Sequence, residues 1–189
     1  MCFMLERLHP AKTAVFVVDI QEKLARAMPE SRLADVLRAT NVLVETARLL
    51  GAPVLATVQY VKGLGPTIEP VHAVLDRAGV APIEKTHFSG MEAAGVPDAL
   101  RRFGATDIVV IGMEAHVCVY QTVRDLRADG YRVYVAEDGV CSRRDDARAT
   151  GLDLCTRCGA VPTNSEAVVL DWLRDSAAPD FKAVSKLIR

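Results

Sequence analysis

The chain has 189 residues, about the size of one domain; half of them are hydrophobic and a quarter charged, which excludes disordered, collagenous and disulfide-framework classes. With 23 Lys and Arg against 24 Asp and Glu, bulk charge favours neither nucleic acid nor an anionic membrane as a partner. No stretch approaches the roughly 18 apolar residues of a membrane span and Met1 to Pro10 holds no signal-peptide core, so one cytoplasmic domain over residues 1–189 is expected.

The first element, over 14–19, is an apolar, β-branched run closed by Asp19, which reads as a strand covered on both faces. Helical spacing over 31–50 follows, with Ser31 as candidate cap and Gly51 as candidate terminator. A second strand over 53–58 leads into Gln59 and Tyr60. The glycine- and proline-bearing stretch 60–70 reads as a loop, and 71–77 as a helix. A short strand over 83–86 carries Lys85, before a helix over 96–103. The strand over 107–112 runs into Gly112-Met-Glu-Ala-His-Val-Cys118 and a helix over 117–128. A strand over 131–136, a helix over 144–157, a short strand over 160–162 and a helix over 165–173 complete the alternation. Strands alternating with helices predict a three-layer α/β/α sandwich on a mostly parallel, Rossmann-like sheet of about six strands. Beyond the break at Pro179, Phe181, Val184, Leu187 and Ile188 share one side of a short tail helix over 179–189. Such a helix is marginal alone; it packs either on its own domain or, as expected here, at the interface of a homo-oligomer.

In a parallel sheet, ligands bind beyond the carboxyl ends of the strands. Those positions gather Asp19, Lys85 and Cys118. A free thiol, with a pKa near 8.5, is a weak nucleophile until something lowers that value. A helix start and the Lys85 ammonium could do so, Asp19 could take and return the proton, and backbone N–H groups could stabilise an oxyanion. That combination describes acyl transfer. Singly, each residue is explained as well by packing or capping; three such groups at strand ends of one sheet are costly to gather without a use.

The segments around Asp19-Ile-Gln21, Lys85-Thr-His-Phe88 and Gly112 to Thr122 resemble, in order and separation, the isochorismatase-like cysteine hydrolases. Gly63 to Thr67, Asp138 to Arg143 and Phe181 to Ile188 further resemble the isochorismatase domain-containing protein branch. The resemblance implies a catalytic triad of Asp19, Lys85 and Cys118. It also implies a non-proline cis peptide before Glu114, turning the N–H groups of Glu114 and Cys118 toward the substrate oxygen. The nicotinamidase branch carries an Asp and His residues as a metal site after the second strand. Here that region begins Gln59-Tyr-Val-Lys and has neither, so no metal and no cofactor are expected. A retained thiol points to a small amide or related carbonyl substrate.

Gln21, Phe88 and His116 are the candidate pocket residues, with core packing and capping as competing roles. His116, two residues from Cys118, is better placed to line a pocket than to form a dyad. Cys155 and Cys158 have redox or half-zinc spacing but lie late in a helix, which favours packing; Cys141 is expected half-buried in a turn. Arg143 and Arg144 read as a solvated basic pair. The competing functions are a silent binding module and, least favoured, a nuclease. A thiol reagent labelling Cys118 faster than the other cysteines is expected of an enzyme.

Overall fold

The computed structural model describes residues 6–189; Cys2 lies outside the described residues. Strand β1 (Thr13–Val18) is buried at every position, and its side chains divide by parity. Ala14, Phe16 and Val18 enter one apolar cluster, Val15 and Val17 the other. Both faces of a strand with period two are therefore covered.

The remaining elements, in chain order, are α1 (Glu22–Ala25), α2 (Glu30–Leu50), β2 (Val54–Gln59), α3 (Val61–Leu64), α4 (Glu69–Arg77), β3 (Ile83–Lys85), α5 (Val96–Phe103) and β4 (Asp107–Met113). A π-helical turn (Ala115–Val119) precedes α6 (Tyr120–Ala128), β5 (Arg132–Cys141), α7 (Asp145–Arg157), β6 (Val161–Thr163), α8 (Ser165–Leu173) and α9 (Phe181–Leu187). The strands form one sheet in the order β3-β2-β1-β4-β5-β6, every neighbouring pair parallel. Apolar residues of α2, α4, α8 and α9 cover one face; those of α5, α6 and α7 cover the other. The predicted three-layer α/β/α architecture is what forms. No described helix is long and apolar enough to cross a membrane.

Several local expectations give way to packing. Helix α2 starts one residue early, behind Pro29, so Ser31 lies inside it and caps nothing; Gly51 ends it at φ 72° as foreseen. Strand β5 continues past 136 because its register against β4 shifts between Val110 and Gly112. Cys141 therefore pairs with Met113 inside the sheet and is wholly buried, instead of half-buried in a turn. The tail docks on its own domain: Val184 is fully buried, and Phe181, Leu187 and Ile188 pack against the cluster that contains α2. Its apolar side is thus covered within the chain.

Two glycines set the carboxyl end of the sheet. At Gly112, with φ 135°, a Cβ would stand 2.0 Å from the Val18 carbonyl oxygen, so β1 and β4 approach there as only glycine allows. At Gly151 a Cβ would stand 2.4 Å from the carbonyl carbon of Ala115 and 2.5 Å from the His116 nitrogen. Helix α7 therefore rests directly on the backbone of the π-helical turn. Gly151→Ala is expected to cost about 1–3 kcal/mol by overpacking, measured as a lower urea midpoint at unchanged slope; an unchanged midpoint would show that α7 does not brace the turn.

Candidate active site

Strand order reverses between β1 and β4, and an open α/β sheet leaves a crevice at that switch point. Asp19 directly follows β1, in the left-handed region at φ 53°. Glu114 directly follows β4, across a cis Met113–Glu114 bond. A non-glycine residue at positive φ is costly and persists only where its surroundings hold it. Here the Asp19 N–H donates to Thr57 O at 3.1 Å and its Oδ1 accepts from Thr57 Oγ1 at 2.9 Å.

The other carboxylate oxygen, Asp19 Oδ2, accepts from Lys85 Nζ at 2.6 Å, and both side chains are wholly buried. Lys85 Nζ also lies 2.6 Å from Gln59 Oε1 and 3.1 Å from the carbonyl oxygens of both His87 and Phe88. An ammonium has three protons to donate, and four acceptors surround it. Gln59 is itself held, donating from Nε2 to Thr86 O at 2.7 Å. One cation is thus held at the ends of β1, β2 and β3.

Cys118 sits in the π-helical turn, 5% exposed. Its thiol is pushed up to about 12, first by burial and then by the Asp19 carboxylate; Lys85 pulls the other way and is outweighed. The expected lowering of this thiol is therefore not met in the resting site. The physical reason is that Lys85 is already matched to Asp19, so Cys118 faces a nearly neutral pair from a buried position. The turn is pinned from below, where Thr122 Oγ1 donates to Cys118 O at 2.7 Å and accepts from Gly90 N at 2.8 Å.

The three expected pocket residues fare differently. Gln21 is fully buried, not a wall: its Nε2 donates to Gln59 O at 2.9 Å and Gly65 O at 2.6 Å, and its Oε1 accepts from Gln59 N at 2.7 Å. It caps no helix with its side chain; it ties the end of β2 to Gly65, just after α3, which forms inside the stretch 60–70 expected to be a loop. Phe88 is 53% exposed and contributes a backbone carbonyl to Lys85. His116 turns Nδ1 toward Ser142 Oγ at 3.0 Å, not toward Cys118.

Gln59, Thr57 and Arg143 are site components given no role from the sequence. Thr57 and Gln59 are polar residues two apart at the end of an apolar strand, so they share a face, and that alternation was a readable signal. In the sequence Arg143 reads only as the end of the Asp138 to Arg143 stretch and as half of a basic pair. It grips the buried Glu114 carboxylate, with Nε 3.1 Å from Oε2 and Nη2 2.8 Å from Oε1, and is not simply solvated. Among the described residues, no group of three or more His, Cys, Asp or Glu side chains converges as metal ligands would.

A cleft of about 610 Å³ lies elsewhere, lined by Leu8, Tyr134, Val161 and Asp171 among others. Its Arg7 and Asp171 pair with each other, so volume and convergent chemistry do not coincide. Buried, partnered polar groups at the switch point carry more weight than open volume.

Comparison with known proteins shows the family and fold of this chain. The model of the isochorismatase domain matches residues 13–167. Isochorismatase domain-containing protein 1 of Salmo salar is 33% identical over 187 residues, 98% of this chain and 64% of the relative, so the chain spans less than two thirds of that protein's length. The secreted isochorismatase effector Isc1 of Phytophthora sojae is 35% identical over 191 residues, 98% of this chain and 88% of its own. Among solved structures, the MAR1 ribonuclease from Caenorhabditis elegans is 36% identical with a TM-score of 0.89, covering 97% of this chain and 92% of that one.

Burial pushes Cys118, Cys141 and Cys155 alike up to about 12, while Cys158 is only half-buried. Cys118 therefore has no resting advantage toward a thiol reagent. Because only thiolate reacts, its alkylation by iodoacetamide should rise about tenfold per pH unit between roughly pH 7 and 10 without levelling. Peptide mass spectrometry at Cys118 measures this; a plateau below about pH 9 would show a resting thiolate.

Proposed function

Because the chain belongs to the isochorismatase family, we propose that it is a cysteine hydrolase that cleaves a small amide or related carbonyl compound through a thioester on Cys118. The observation that carries this reading is the wholly buried Asp19–Lys85 pair beside the Cys118 thiol. Burying two such groups is costly unless their geometry is good and their remaining hydrogen bonds are met, and here that arrangement is held beside a thiol.

Asp19 is paired with Lys85 and stands beside a thiol kept neutral by burial, which suits it to be the base. As Cys118 Sγ bonds to the substrate carbonyl carbon, the thiol proton passes to Asp19. The oxyanion formed is met by the N–H groups of Glu114 and Cys118. Collapse breaks the C–N bond, and the proton on Asp19 leaves with the amine. Water then attacks the thioester, giving a proton to Asp19; release of the acid breaks the C–S bond, and that proton returns to the sulfur. Lys85, whose Nζ is surrounded by four acceptors, positions Asp19 and donates no proton to the reaction. A neutral resting thiol fits this sequence, because proton transfer then accompanies attack.

The name of the C. elegans relative supplies a second reading, hydrolysis of RNA. A set of small amides and esters, followed by intact-protein mass spectrometry, tests the first. Turnover should deposit an acyl group on Cys118, and Cys118→Ala should lose at least about 10³-fold in rate with an unchanged melting temperature. Amide turnover that survives Cys118→Ala would overturn the covalent route. RNA cleavage that survives it would favour the second reading.

A further inference from the structure

Glu114 follows β4 and Arg143 lies two residues beyond β5, so the two meet at the carboxyl ends of neighbouring strands. Only 5% of Glu114 is exposed, and its carboxylate accepts three hydrogen bonds from Arg143: from the backbone N at 2.9 Å, Nε at 3.1 Å and Nη2 at 2.8 Å. The next residue back, Ser142, is buried and holds His116 Nδ1 at 3.0 Å. Segment 142–143 therefore grips segment 114–116 at two points, immediately before Cys118. A surface arginine that served only solubility would not direct a two-pronged fork at a buried carboxylate.

The charges around Cys118 make this grip consequential. Asp19 after β1 and Glu114 after β4 are the anions that oppose its ionisation, and Lys85 at the end of β3 is the cation that favours it. Lys85 is matched to Asp19, which leaves Glu114 to be matched by Arg143. Cys141 and Arg148 also stand near this corner, and Arg148 is tied to the backbone, with Nε 2.8 Å from Val140 O. His116 faces Ser142 on the same turn.

We propose that Arg143 is a positioning residue for the reaction: it offsets the Glu114 charge that opposes a thiolate or oxyanion, and clamps the backbone corner whose N–H groups would meet the reacting carbonyl. The role rests on Cys118 as nucleophile, and it acts through Glu114, not by touching substrate.

The test reads Cys118 alkylation by iodoacetamide against pH in the full chain. Arg143→Gln leaves Glu114 uncompensated, so its profile should move to higher pH by about half a unit or more, a rate roughly threefold lower at any fixed pH. Glu114→Gln removes the anion and should move the profile the opposite way. The double variant should lie nearer the wild type than Arg143→Gln does. A role in stability alone would lower the melting temperature of both single variants without moving their profiles in opposite directions. Unmoved profiles, or two shifts of the same sign, would overturn the proposal. If Arg143→Gln fails to fold, the double variant against Glu114→Gln decides: loss of the arginine in that background should move the profile back to higher pH, and coincident profiles would overturn the proposal. This measurement needs no substrate, so loss of the thioester reading through an active Cys118→Ala would be recognised separately.

Discussion

A carboxylate and an ammonium without solvent exposure, 2.6 Å apart, constrain everything around the carboxyl edge of this sheet. Desolvating two ions costs several kcal/mol each, and their attraction compensates only when the remaining donors and acceptors are satisfied. That requirement explains the company they keep. Thr57 takes the second carboxylate oxygen, Gln59 and two carbonyls take the ammonium, and Gln21 fixes the strand end from which Gln59 projects. It also explains why Asp19 tolerates a left-handed backbone. The residue leaves β1 at the point where Gly112 lets β4 come closest, and its carboxylate then faces both Lys85 and Cys118.

Matching the two charges has a consequence for the thiol. A cation left free beside Cys118 would hold a thiolate at rest; one matched to Asp19 leaves burial to dominate. A neutral thiol at rest suits the proposed route, in which proton transfer accompanies attack. On the route proposed above, a thiolate forms only when a carbonyl is in place, and a thiol neutral at rest also limits adventitious oxidation, since oxidation follows thiolate character.

Much of this was legible in the sequence. Apolar strand runs, alternation with helices, and a carboxylate, an amine and a thiol just past three strands were enough for the sheet, its layers and its rim. What was missed depends on distances that no spacing encodes. Gln59 faces Lys85 because β2 and β3 pair with Gln59 opposite Lys85, a register set by packing. Arg143 reaches Glu114 because β5 slips against β4 and runs on to Cys141; without that slip Arg143 and Arg144 read as an ordinary basic pair. The thiol's direction of shift is not legible for a related reason: the partner of Lys85 decides its effect on Cys118, and partnership is a three-dimensional fact. The tail's amphipathic pattern was correctly read, yet pattern cannot say whose surface it covers.

The interdependence of Asp19 and Lys85 is open to direct measurement by urea denaturation of Asp19→Asn, Lys85→Met and the double variant at neutral pH. If the buried pair organises the site, removing either partner strands an ion or its acceptors, each single change should cost on the order of 3–5 kcal/mol, and the double should cost far less than their sum. Losses that simply add, or single variants as stable as the wild type, would mean that the pair is not the constraint on which the site is built.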